Sequence, residues 1–234
     1  IDMLRFINYL MILNFLLLVA CSYNNKEDQS PLARKLSWFS YLASDDISAN
    51  CGKTVVNQFR FVYNAMYLEQ VRTYDLEPIR GNLSRIKMKI TQKAELSLLE
   101  IDAKTMDFLK PWRPIKSNTD IRKIDVELLT KSLESGNFFS PNESVTRLPS
   151  KDFYWLVTAC VSGVFFQRAY LWPEYNFDDI GFISLLKSWD FSNIAYNPPR
   201  KTDLFNISGT KDKEKYSNNF NVTLDKGTLL IGSP

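Results

Sequence analysis

Apolar and polar residues alternate along two stretches of the chain, and this period of two predicts β-strands. In residues 55–76 the aromatic side chains of FRFVY fall on one face. The alternation slips near Asn64 and Ala65, which predicts two strands joined by a turn or a bulge. Residues 85–90 alternate basic residues with Ile and Met after a turn at Gly81-Asn82, so they predict a further strand.

The most apolar stretch after the N-terminal region is residues 153–171, and Gly163 divides it. We predict two strands that form a central hairpin buried on both faces. Alternation places four residues of the first strand on each face: Trp155, Val157, Ala159 and Val161 on one, and Tyr154, Leu156, Thr158 and Cys160 on the other. The alternative interpretation is an exposed groove whose rings contact a lipid or a glycan chain. Further strands are predicted at 94–103 and in a C-terminal hairpin over 221–231.

Three segments have helical spacing of apolar residues, namely 32–47, 125–136 and 178–189. The segment that begins at Asp125 ends at Gly136, which are typical first and last residues of a helix. Strands and helices follow one another in mixed order rather than in strict alternation. The sequence therefore predicts a single α+β domain over residues 32–234, mainly antiparallel sheet with two or three packed helices.

An uncharged hydrophobic run over residues 6–20 follows Arg5 and precedes Cys21. Its length of about 15 residues is short of the roughly 20 that span a bilayer, and the small residues at its end are typical of a secretory signal. Residues 18–21, LVAC, resemble the lipobox of bacterial lipoproteins. That resemblance implies removal of residues 1–20, acylation of Cys21, and a tether over 21–31 on a protein facing the periplasm or the cell exterior. An uncleaved anchor and an ordinary signal peptide are the alternatives.

The middle of the chain contains FRFVY, then GNFFSP, then DFYWL followed by GVFFQ and a Trp-Pro pair. This succession resembles a group of exported bacterial α+β proteins of uncharacterised activity, over about residues 58–190. The chain has Thr158 where that group has an acidic residue and Phe166 where it has His. The resemblance therefore implies a fold and carries over no polar site.

Composition excludes several kinds of chemistry. The chain has no His among its 234 residues, which removes His-based triads, Cys–His dyads and HExxH zinc sites. Its three Cys contain no CxxC pair, so no metal site and no cofactor are predicted. A net charge of +3 is too small to indicate a nucleic-acid partner.

If Cys21 is acylated, Cys51 and Cys160 remain as an even pair in an oxidising compartment. We predict a disulfide between them, which would close a loop of 160 − 51 = 109 residues. Two separate buried thiols are the alternative.

Candidate catalytic patterns are weak. Ser184–Lys187 and Ser84–Lys87 both match SxxK, and Ser217-Asn-Asn219 superficially supplies the SxN motif. Only 217 − 184 = 33 positions separate Ser184 from Ser217, too few for the helical domain that SxxK enzymes place between these motifs. The pairs Asp45-Asp46 and Asp178-Asp179 fit helix starts better than a catalytic dyad.

A third pattern is a basic strip of Arg85, Lys87 and Lys89. It is interpreted either as a contact for anionic lipid or polysaccharide or as a solvent-facing strand protected by lysine. No catalytic residue is predicted. The expected function is a lipid-anchored envelope protein that acts by binding or assembly, with an envelope protein or glycan as partner. The alternative is a hydrolase or transferase that uses Asp/Glu or Ser/Lys chemistry.

Overall fold

A computed structural model describes residues 38–53, 56–92, 114–141, 143–201 and 220–231. The chain divides into two compact units, residues 1–39 and 40–234, and the description below concerns the second. The predicted strand at 94–103 and the predicted signal and tether lie outside the described residues.

Antiparallel sheet dominates this unit, in two sheets. The main sheet has the order β4-β3-β2-β1-β6-β7, and its strands are β1 (Gln58–Ala65), β2 (Gln70–Pro78), β3 (Leu83–Gln92), β4 (Ile115–Arg122), β6 (Phe153–Val161) and β7 (Val164–Leu171). A smaller sheet has the order β5-β8-β9, with β5 (Val145–Pro149), β8 (Asn221–Asp225) and β9 (Thr228–Ile231). The described helices with complete bounds are α1 (Asp45–Asn50), α2 (Lys123–Ser135), a 3₁₀ turn (Phe177–Asp179) and α3 (Gly181–Ser188). Residues 40–43, before Ser44, are also helical. The coarse prediction of a mainly antiparallel α+β fold is therefore confirmed. Sheet dominates the described residues, and the helices are few and short.

The core lies on one face of the main sheet, which we call the helical face because α2 and α3 cover it. Trp155 on β6 and Tyr63 on β1 stack there with ring centroids 4.8 Å apart, and Phe182 of α3 packs edge-on against Trp155. From α2, Leu129 and Leu133 complete this core. Because β1 and β6 pair in the middle of the sheet, the aromatic residues of both strands come together where burial is deepest.

Two hairpins follow the predicted turn chemistry. Ser162 and Gly163 have φ of 51° and 79°, and Lys226 and Gly227 have φ of 47° and 77°. Positive φ at both central residues is the requirement of a two-residue turn whose twist suits the flanking strands. The predicted breaks at Gly163 and at Asp-Lys-Gly are thus confirmed.

The prediction that residues 153–171 form the central hairpin of the sheet is correct for β6 and wrong for β7. β6 lies between β1 and β7 and is buried along almost its whole length, but β7 is the last strand of the sheet and Val164 is 52% exposed. The assignment of alternate β6 residues to two faces is confirmed, since Trp155, Val157 and Ala159 lie in the core cluster on the helical face. An apolar run predicts that a strand is buried, but it does not predict which neighbouring strand or helix buries it.

Helix boundaries differ from the predictions for local reasons. The helix predicted through residue 47 is interrupted at Ser44, which has φ of 56° and a hydroxyl 3.0 Å from that of Thr158. Helix α2 starts two residues earlier than predicted, because Asp125 accepts a hydrogen bond from the Arg122 backbone N–H (2.9 Å) as the third helical residue.

The basic strip lies on an internal strand rather than an edge strand, since β4 pairs with β3 beyond it. Arg85 pairs with Asp120 on β4 (2.7 Å) and Lys87 pairs with Glu77 on β2 (2.5 Å). Two of its three charges are therefore neutralised within the sheet, and protection of an edge is not their role.

Candidate functional site

Cys51 and Cys160 are joined by a disulfide, with Cα atoms 5.6 Å apart across a sequence separation of 109. The predicted pairing is thus present in the structure. It fastens the end of α1 to β6, beside a close approach of Gly52 and Gly163 at which a Cβ on Gly163 would lie 3.3 Å from the Gly52 Cα. The predicted lipidation site, Cys21, lies outside the described residues and stays a prediction.

Neither SxxK match forms a serine–lysine pair. The Ser184 hydroxyl donates to the carbonyl of Gly181 (2.8 Å), and the Lys187 ammonium lies 5.6 Å from the centre of the Tyr196 ring. Ser84 and Lys87 are three residues apart on a strand, so their side chains point to opposite faces. A lysine that does not contact the serine cannot take its proton.

The paired aspartates do not form dyads either. Asp45 accepts a hydrogen bond from a serine hydroxyl, whereas Asp46 binds Arg60 of β1 through both carboxylate oxygens (2.8 Å each). Asp178 and Asp179 lie exposed in the 3₁₀ turn. The role of Asp46 as the ion-pair partner of a strand arginine was not predicted.

Arg60 is the centre of one polar cluster, on the face of the main sheet opposite to α2 and α3, where α1 lies. Its Nε donates to Asp75 (2.6 Å), its two terminal nitrogens bind Asp46, and its guanidinium lies 3.8 Å from the ring centre of Tyr41. Burial opposes ionisation of Asp46, but the hydrogen bonds and charge of Arg60 outweigh it and lower the pKa of that carboxyl. Each charged group here has its partner.

Arg72 is the centre of a second cluster, on the helical face. It is fully buried and pairs with Asp190 (2.7 Å), whose side chain is 2% exposed. The Tyr74 hydroxyl donates to the same carboxylate oxygen (2.7 Å), and the Tyr196 hydroxyl lies against both groups. Burial opposes ionisation of Asp190, but hydrogen bonds from Ser192 and Tyr74 and the charge of Arg72 prevail and lower its pKa.

This second cluster fastens residues 189–197, which we call the strap, to the main sheet. Arg72 also donates to the backbone carbonyls of residues 194 and 195 (2.6 and 2.7 Å). Gln70 donates to residue 195 and accepts from the backbone N–H of Asn197, and the Tyr63 hydroxyl donates to the Asn197 carbonyl (2.7 Å). The polar groups of this cluster are paired and its ion pair is closed to solvent. Its role is therefore structural, because its hydrogen bonds join the strap to the main sheet.

A cleft of about 280 Å³ lies between β5 and β7, and here the charges are not paired. It is lined by residues 144–147, by Arg168, Ala169 and Leu171, and by Glu174 and Tyr175. Arg147, Arg168 and Glu174 are the charged residues of this lining. Among the described residues, none of the three takes part in an ion pair. With two arginines and one glutamate, the cleft carries a charge of 2 − 1 = +1.

Arg168 is the unusual residue of this cleft. One terminal nitrogen donates to the carbonyl of Ser140 (2.9 Å), but its Nε is buried with no acceptor in the described structure. A buried donor without a partner is costly, and a guanidinium has five donors suited to carboxylate or phosphate. The arrangement can therefore bind an anion, while its single carboxylate offers no acid–base pair.

No pattern in the sequence indicates this cleft. Arg147 and Arg168 are 168 − 147 = 21 residues apart, and they belong to strands of different sheets. Only the approach of β5 to β7 brings them to one cavity.

Comparisons with models of protein families, with curated proteins and with solved structures found no match to this chain. Within the described ranges, none of the helices is long and apolar enough to cross a membrane. The same ranges contain no group of three or more acidic, Cys or His side chains placed to hold a metal ion. The site is thus defined by its own geometry: an arginine cleft between two antiparallel sheets.

Proposed function

We propose that this protein is a lipid-anchored cell-envelope protein that acts by binding, and that the cleft between β5 and β7 is its binding site. The observation that carries the binding role is the pair of arginines, Arg147 and Arg168, that line one cavity and have no ion-pair partner in the described part of the chain. The two polar clusters around Arg60 and Arg72 are saturated by their own hydrogen bonds. The cleft is where a ligand would add partners rather than displace them.

The anchor is supported by the sequence LVAC at residues 18–21, which places Cys21 as the residue to be acylated. A disulfide between Cys51 and Cys160 fits a domain that folds in an oxidising compartment. We expect labelled palmitate to enter the wild-type protein in cells, and Cys21→Ala to abolish the label. Equal labelling of the two proteins would refute the lipid anchor.

The binding role is tested in cells with a photo-reactive amino acid in place of Thr146, which lines the cleft. We expect it to crosslink an envelope component, and we expect the crosslink to disappear when Arg168→Gln is added. The matched control places the same photo-reactive amino acid at Asn118, which is exposed on β4 at the other edge of the main sheet. Crosslinks of equal yield from both positions would show that the cleft has no special role.

The alternative function is that of a hydrolase or transferase, and an activity assay distinguishes it from binding. The described lining contains Glu174 as its single carboxylate, whereas acid–base hydrolysis by carboxylates uses two. Turnover of an envelope substrate that disappears in one Asp, Glu or Ser variant would replace binding with catalysis.

A further inference from the structure

The cleft lies between two sheet edges. β7 is the last strand of the six-stranded sheet and β5 is the last strand of the three-stranded sheet. Among the described residues no backbone hydrogen bond joins the two strands. An edge strand has one row of backbone N–H and C=O groups that its own sheet does not pair, and such a row can pair with another chain.

The lining shows that an edge, rather than a face, borders the cavity. Residues 144–147 contribute four consecutive positions, and residues 168 and 169 contribute two more. Successive side chains of a strand point to opposite faces, so consecutive residues reach the same cavity when the cavity runs along the edge. A ligand in the cleft therefore meets strand backbone as well as side chains.

The net charge of the cleft favours a ligand with one carboxylate over a ligand with a phosphate dianion. A charge of +1 balances a single carboxylate, whereas a phosphate dianion would remain under-compensated beside Glu174. The planar fork of an arginine binds a carboxylate through two parallel hydrogen bonds. Arg147 is exposed and free to turn toward the ligand, and the Arg168 Nε has no acceptor among the residues that the structure describes.

We propose that the cleft binds an extended peptide segment that carries an acidic side chain. This inference rests on the proposed function and specifies its ligand. The peptide backbone pairs with the edge of β5 or β7, neither of which has a strand partner on that side among the described residues, and its carboxylate lies between Arg147 and Arg168. A peptide is favoured over a glycan because a strand edge needs regularly spaced N–H donors and C=O acceptors, which an acidic polysaccharide lacks.

The test uses the full chain, purified in detergent, and a fluorescent five-residue probe, acetyl-TVEVT-amide. We expect the probe to bind saturably, and we expect Arg147→Gln and Arg168→Gln each to weaken binding about tenfold, as for the loss of one charge-assisted contact. Arg85→Gln is the matched control, because it removes the same charge from β3, which three strands separate from β7. It is expected to leave the affinity unchanged.

Two altered probes separate the parts of the proposal. The peptide with Gln in place of Glu tests the carboxylate, and the peptide with N-methylated alternate amides tests backbone pairing; we expect each to bind at least about tenfold more weakly. Circular dichroism and thermal melting check that the variants are folded. Arg147→Gln keeps the test valid if Arg168→Gln does not fold, since Arg147 is exposed.

Equal binding of the N-methylated and parent peptides would overturn strand pairing, and equal binding of the Gln peptide would overturn the acidic group. Binding of a galacturonate trimer without binding of the peptide would overturn the inference while leaving the proposed binding function intact. Absence of binding to any probe also overturns the inference. If the crosslink from position 146 is absent as well, the proposed function fails with it.

Discussion

The buried ion pair between Arg72 and Asp190 gives the sharpest test of how this fold is held together. Asp190→Asn keeps the size of the side chain and removes its charge. Arg72 is fully buried, so its guanidinium would lose the anion 2.7 Å away with no solvent to replace it. Breaking a buried pair from one side costs about 3–5 kcal/mol, because one charge stays buried without compensation.

The assay is urea denaturation of Asp190→Asn and the wild type at pH 7. A loss of this size is a large part of the about 5–15 kcal/mol that a domain has. The matched control is Asp120→Asn, which breaks an arginine–aspartate pair with Arg85 at the same N···O distance of 2.7 Å. Both partners of that pair are 41% exposed, so solvent screens their attraction and we expect a much smaller loss than for Asp190→Asn.

The pH dependence follows from the pKa of Asp190, which the folded state lowers from the ordinary value of 3.8. A carboxyl with a lowered folded pKa stabilises the protein above its unfolded pKa, and this contribution is lost as the pH falls through the folded pKa. The difference between wild type and Asp190→Asn should therefore be constant near neutral pH and shrink below about pH 4. Hydrogen exchange should show faster exchange at the Ser192 and Asn197 amides of the strap, because these N–H groups donate to the side-chain oxygens of Asp190 and Gln70. A difference below 1 kcal/mol at pH 7, or one as small as that of Asp120→Asn, would refute a structural role for the pair.

Two further predictions concern the core and the disulfide. Trp155→Ala should lower the free energy of unfolding by about 3–5 kcal/mol, since the ring is 1% exposed and stacks 4.8 Å from Tyr63; an unchanged denaturation midpoint would favour an exposed groove instead. Alkylation of the unfolded, unreduced protein should leave Cys51 and Cys160 unmodified, and replacing both by Ala should cost about 4–5 kcal/mol in the loop-entropy account. Two alkylated thiols before reduction would contradict the disulfide.

Local pattern was sufficient for the strands and turns of the hairpins. The slip in alternation near residues 64–65 marks the turn between β1 and β2, and Gly163 and Gly227 mark turns that need positive φ. These features depend on steric preferences of a few adjacent residues, and such preferences can be predicted without knowing the fold. The facing of β6 could also be predicted, because its side chains alternate with the pleat.

The place of each strand in its sheet could not be predicted in the same way. β7 has an apolar sequence like that of β6, yet it forms an edge, and β3 carries basic residues yet lies inside the sheet. The same difficulty hid the partners of Arg60 and Arg72; Asp190, for example, lies 118 residues after Arg72. A charge in a strand does not reveal which distant segment will neutralise it.

Periodicity and turn chemistry are properties of adjacent residues, so the antiparallel α+β class, the turns and the core face of β6 could be predicted from the sequence. Cysteine parity predicted the pairing of Cys51 with Cys160 on the assumption that Cys21 is acylated. The closure of the two arginine clusters and the open cleft that Arg147 and Arg168 share could not be predicted in this way. They depend on how distant segments pack and on how the edge of one sheet approaches the edge of another, and no spacing along the chain encodes that approach.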